Sequence, residues 1–183
     1  MRVSCRVRQS GFSLLEMLIA MAVGAVLMVS VGRFLPLLLE QNLRLQQRVQ
    51  LQQELQQIAN TLHKALRRAG YCHGQCSGSA LTLAANGSCV LLRWDENSNG
   101  HWEGVGHSES DYYGYRLRSG QLEMQRGVDE CNSAGWERLS DPAFLTISAF
   151  KLERQGSRLI LQLAAKASNQ SVELESWIEG INL

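Results

Sequence analysis

The chain has 183 residues, of which 45% are apolar and 19% charged, with a formal net charge of +1. This balance excludes the basic surplus of a nucleic-acid binder and gives no sign of an acidic partner. It leaves room for one modest domain beyond any membrane anchor.

Residues 1–10 form a basic leader with Arg2, Arg6 and Arg8. After Gly11 and Phe12 an apolar run extends to Leu39, and across 12–39 only Glu16 and Arg33 are charged. As a helix, about 20 such residues cross a hydrocarbon core of about 30 Å. The arginines ahead of the run predict a cytoplasmic N-terminus and an external remainder. Glu16 needs a reason, because an ionisable group at mid-bilayer costs roughly 2.5–3.5 kcal/mol on insertion scales. A cut between Gly11 and Phe12 creates an amino group four residues before Glu16, close enough on a helix to pair with it. Between chains, the same pairing in apolar surroundings sets register. A secretory signal ending near Ala20-Met21-Ala22 fits poorly, since the apolar run continues past it and contains Glu16. A plain, unprocessed anchor leaves Gly11 and Glu16 unexplained.

The helix is expected to continue beyond the membrane. Pro36 can kink it by removing a backbone donor. No further proline or glycine occurs before Gly70, and leucine, glutamine and arginine dominate. Leu51, Leu55, Ile58, Leu62, Ala65, Leu66 and Ala69 recur at three- and four-residue steps, which predicts one buried stripe. Gly70 is placed to end the helix. From 12 to 69 an unbroken helix would measure about 87 Å at 1.5 Å per residue.

From Tyr71 the pattern becomes strands. Segments 80–84 and 88–94 flank an Asn86-Gly87 turn, and 112–118 and 121–126 flank Ser119-Gly120. Segments 144–153 and 158–166 surround residues 155–157, and 171–179 gives a last strand. Without strand–helix–strand alternation, the fold class is α+β: a long N-terminal helix packed on an antiparallel sheet. The expected division is a leader at 1–11, a transmembrane helix at 12–39 and an external domain at 40–183. Within that domain the helix continues over 40–70 and the β part covers 71–183.

Cys5 lies in the leader, which leaves Cys72, Cys76, Cys89 and Cys131 on the external side. In an oxidising compartment four cysteines predict two disulfides, with three connectivities open. A zinc site at 72–76 with His63 or His73 is the weaker alternative, because no second ligand pair follows at finger spacing. Asp95, Asn97 and Asn99 place oxygens at alternate positions before Gly100, like the opening of a calcium loop. Glu103 is the candidate to close the sphere, with Glu109 or Asp111 as alternatives. The competing reading is a metal-free turn rich in Asx residues. A structural calcium is the single cofactor expectation. The histidines show no HExxH spacing and no nucleophile elbow, and no glycine-rich phosphate loop precedes a helix, so no catalytic residues and no enzyme activity are expected.

Gly11-Phe12-Ser13-Leu14-Leu15-Glu16, after a basic leader and before an apolar helix, resembles the signal of type IV pilins and type II secretion pseudopilins. Ala69-Gly70-Tyr71-Cys72-His73-Gly74, the loop at 95–100 and the Gly-Ile-Asn-Leu ending resemble a minor pilin related to the J-type and W-type subunits. The resemblance implies cleavage between Gly11 and Phe12 by a prepilin peptidase, which also N-methylates Phe12. It implies that Glu16 guides docking into a filament. The implied partners are other minor pilins, the major pilin and an inner-membrane assembly platform, with no nucleic acid. The implied location is the inner membrane, with the C-terminal domain periplasmic, and then the fibre. The implied function is a minor pilin that initiates or caps a type IV pilus. A type II secretion pseudopilin is the near alternative. A membrane-tethered binding module for DNA uptake or adhesion, which never polymerises, is the distant one.

Overall fold

The computed structural model describes residue 11, residues 13–180 and residues 182–183; the leader and Phe12 lie outside the described residues. The chain divides into two compact units at Leu45/Gln46.

The first unit is helical from Leu14 onward. Helix α1 (Leu14–Arg68) begins with the Met17 N–H donating to the Ser13 carbonyl at 3.2 Å, and it runs through Pro36. Every large apolar side chain from Leu14 to Leu45 is exposed, among them Leu14 at 80% and Met28 at 79%. A helix that is apolar on all sides belongs in lipid or against other helices, not in water. By length and composition α1 can cross a membrane.

In the second unit, α1 becomes amphipathic. Leu51, Leu55, Ile58, Leu62, Ala65 and Leu66 are buried as the three- and four-residue spacing requires, and Ala59 and Ala69 join them. Gly70 follows with φ of +84°, and its N–H donates to the Arg93 carbonyl at 2.8 Å. An added Cβ there would lie 2.2 Å from the Asn182 carbonyl oxygen, so both conformation and space demand glycine.

The strands form two antiparallel sheets instead of the single sheet expected. The first runs in chain order: β1 (Leu81–Ala84), β2 (Cys89–Arg93), β3 (Tyr112–Arg118), β4 (Gln121–Arg126) and β5 (Glu137–Arg138). The second is β6 (Thr146–Gln155), β7 (Arg158–Ala167) and β8 (Gln170–Glu179), also in chain order. Strands β3 and β4 have the bounds that alternation predicted. The sheets separate where Asp141 and Pro142 turn the chain, with the Asp141 carboxylate accepting the Ala143 N–H at 2.9 Å. Proline has no N–H to carry a ladder onward.

The first hairpin also differs from expectation. Ala84 pairs with Cys89, so four residues form its loop, and Ala85, Asn86 and Gly87 all have positive φ. One cluster of buried side chains unites the stripe of α1 with Val90, Leu92, Tyr115 and Leu122 of the first sheet and Phe150, Leu152, Leu161 and Leu163 of the second.

Candidate functional site

The expected functional residues fall in two places. At the N-terminal end, Gly11 is exposed and outside any helix, while Phe12, the other side of the expected cleavage point, lies outside the described residues. Glu16 is in the first turn of α1 and is exposed. A carboxylate there is favoured by the unpaired N–H groups of the helix start. Among the described residues it has no hydrogen-bond or ion-pair partner.

The second place is the loop from Asp95 to Asp111, which is tied to residues 71–76. Asp95 is 1% exposed and its carboxylate accepts backbone N–H groups from His73 (3.0 Å), Asn99 (3.0 Å) and Gly100 (2.9 Å). Burial pushes the Asp95 carboxyl up, but these donors outweigh it and hold it below its ordinary range. The Asn97 side-chain oxygen accepts the Asn99 N–H, and that of Asn99 accepts the His101 N–H, both at 3.1 Å. The oxygens expected to face an ion therefore organise the loop's own backbone.

Asp111, just before β3, closes the same loop from the far side. It is fully buried and accepts the N–H groups of Glu96 and Glu103, each at 3.1 Å. Burial and the Glu103 carboxylate push the Asp111 carboxyl up. Hydrogen bonds from Asp111 and Asn99 hold Glu103 down. Glu103 Oε2 is buried and has no hydrogen-bond partner among the described residues. Spacing alone made Asp111 an alternative; its burial makes it central.

The loop is further stitched to the chain after α1. The Asp95 N–H (2.9 Å) and the Trp102 indole N–H (3.1 Å) both donate to the Tyr71 carbonyl. An added Cβ at Gly74 would sit 2.8 Å from backbone atoms of Gly100, so two glycine backbones abut there. Beneath, the Trp94 and Tyr113 rings stack at 3.7 Å, and the Tyr113 hydroxyl donates to the Glu96 carboxylate.

The cysteines pair as Cys72–Cys76 and Cys89–Cys131. Of the three connectivities open from the sequence, this one joins neighbours in the first case and fixes β2 to the loop after β4 in the second. By loop closure alone the Cys72–Cys76 bond stabilises by about 2 kcal/mol and the Cys89–Cys131 bond by about 4 kcal/mol. With their sulfurs bonded to each other, Cys72 and Cys76 are not zinc thiolates. The zinc alternative also fails at His63, whose Nε2 lies 2.6 Å from the Ser176 hydroxyl. Among the described residues, no three His, Cys, Asp or Glu side chains are gathered as they stand into a group that could hold a metal ion.

The Ser176–His63 contact was not foreseen, since 113 residues separate the two in sequence. Among the described residues no carboxylate hydrogen-bonds the ring, so the pair lacks the third member of a nucleophilic triad.

Two family models and one curated relative match the chain. Residues 44–180 match the family model described as prepilin peptidase-dependent protein B, and residues 6–32 match the prokaryotic N-terminal methylation motif. The chain is 40% identical to prepilin peptidase-dependent protein B of Escherichia coli (strain K12), over 97% of this chain and 99% of that protein. No solved structure matches. With an N-terminal methylation motif leading into a helix exposed on all sides, and a disulfide-bonded α+β unit after it, the chain belongs to the prepilin peptidase-dependent protein B family.

Proposed function

We propose that this chain is a minor pilin, cut between Gly11 and Phe12 by a prepilin peptidase, methylated on Phe12, and used to initiate or cap a type IV pilus. Other minor pilins, the major pilin and an inner-membrane assembly platform are its partners. The observation that carries the reading is the exposed, predominantly apolar stretch of α1 from Leu14 to Leu39, with Glu16 as the carboxylate of its first turn. That surface is stable in lipid before assembly and against neighbouring apolar helices afterwards. Glu16 then pairs with the amino group of an adjacent subunit, and the cost of leaving it unpaired in apolar surroundings selects the register. The protein's part is structural: it is the substrate of the peptidase and catalyses nothing itself. The domain from residue 40 onward lies in the periplasm.

A strain dependent on a Glu16→Ala variant tests this. The variant should still insert in the membrane, and fibre number should fall by an order of magnitude or more. Normal fibres would overturn the role of Glu16. A chain found only unprocessed and monomeric would favour the tethered binding module.

The Glu103–Asp111 pair supports a second, smaller proposal, a calcium ion on the 95–111 loop. Calcium would take the buried Glu103 Oε2, which has no hydrogen-bond partner among the described residues. Asp95 or Asn99 could complete the sphere only by releasing backbone donors. Melting the protein with excess calcium and with chelator decides the matter: binding predicts a rise of several degrees, and an unchanged midpoint removes the ion.

A further inference from the structure

The two sheets have four edge strands, and three of them are short or covered. β1 has four residues and β5 two. β6 is interrupted by a register shift between Ile147 and Ala149. Its Ile147 N–H donates to the Gly120 carbonyl at 2.8 Å, and Gly87 presses on its Leu152 carbonyl. β8 is different. It has ten residues in unbroken register with β7, from Arg158↔Glu179 to Ala167↔Gln170, and contains neither proline nor a bulge.

The direction of its free backbone groups follows from one bond. The Gly180 N–H donates to the Ser157 carbonyl at 3.2 Å, so 157 and 180 are a hydrogen-bonded pair, and such pairs alternate along an antiparallel ladder. The even residues of β8 therefore bond to β7. The N–H and C=O groups of Ser171, Glu173, Glu175, Trp177 and Glu179 point away from it, with no backbone partner among the described residues. These five also carry the exposed side chains of the strand.

Three of the five are glutamates, and β8 contains no lysine or arginine. Glu179 is offset by Arg158 at 3.7 Å, whereas Glu173 has no ion pair among the described residues. Hydrogen bonds from Trp177 and Gln162 hold the Glu175 carboxyl below its ordinary range, so it stays ionised. Trp177 itself is 65% exposed. An open hollow of about 490 Å³ lies over Ala149 and Ala164, walled by Gln162, Glu173 and Glu175. A second copy of the chain does not fit this edge. Any central two-fold pairing of β8 with itself sets glutamates opposite each other, which is repulsive.

We propose that the outer edge of β8 accepts an added strand from another polypeptide, an extended segment with lysine or arginine at alternate positions. The segment's backbone completes the ladder of the five outward residues. Its basic side chains meet Glu173 and Glu175, and one of them occupies the hollow over Ala164. The exposed Trp177 ring gives the apolar anchor that such a contact needs. This contact is independent of Glu16 and of any helix packing.

The test uses the full-length protein in detergent micelles and synthetic peptides. The probes are an alternating lysine–valine peptide, its glutamate–valine counterpart, and the lysine peptide N-methylated on alternate amides. Binding is read as hydrogen exchange at individual amides. The lysine peptide should slow exchange at Glu173, Glu175 and Trp177 by about tenfold or more while leaving β7 unchanged. The glutamate and N-methylated peptides should not. The Glu173→Lys/Glu175→Lys variant should weaken the lysine peptide by about tenfold and gain the glutamate peptide. Glu175→Pro removes an outward N–H and no bond to β7, so it should abolish binding with the β7 amides still protected. Equal binding of all three peptides, no protection at these amides, or the same protection arising from self-association without peptide would each overturn the proposal.

Discussion

At the scale of the residue, His63 shows how a side chain invisible to motif reading takes a place in the fold. Its imidazole meets the Ser176 hydroxyl, and burial followed by the Arg67 guanidinium four residues along α1 holds its pKa below the ordinary value. A histidine that is harder to protonate when folded contributes stability that is full above the unfolded value of about 6.5 and declines as pH falls through it. The melting temperature of the protein should therefore drop between about pH 7 and pH 5, and His63→Gln should flatten that part of the profile. An unchanged slope in the variant would assign the pH dependence to other groups. Asp111 and Glu103 carry the same lesson in the candidate loop. The spacing of Asp95, Asn97 and Asn99 was legible, and in the structure these oxygens accept backbone N–H groups. Which oxygen stays unpartnered depends on Asp111, which joins the loop only once β3 brings it back.

At the scale of the element, what could be read depended on whether the information was local. The stripe on α1 and the bounds of β3 and β4 follow from periodicity within one segment, and both formed as expected. The division into two sheets depends on where ladders stop, and the two residues of β5 are too few to give alternation. Disulfide pairing is non-local too: β2 and the loop after β4 meet only when the first sheet has formed. Gly87 makes the same point with a testable consequence. It sits at φ of +86°, and a Cβ there would lie 2.3 Å from the Leu152 carbonyl oxygen of β6. Gly87→Ala forces a left-handed alanine against another sheet's backbone, and should cost about 2–4 kcal/mol. Urea unfolding checks it; a loss under about 0.5 kcal/mol would mean the two sheets are not held together at this turn.

At the scale of the whole molecule, the chain joins a helix that water does not suit to a unit that carries two disulfides. The first asks for lipid or neighbouring helices, and the second asks for an oxidising compartment. A single-pass protein processed at its inner end satisfies both, and membership of the prepilin peptidase-dependent protein B family supplies the processing enzyme's class. On this proposal the chain is cut between Gly11 and Phe12, and the new Phe12 amine is methylated. Intact-mass spectrometry of the protein extracted from membranes of its own host tests it most directly. The expected species begins at Phe12, carries one added methyl group, and disappears in a host lacking the peptidase. A membrane-bound population that retains Met1 throughout, with no shorter form, would contradict it.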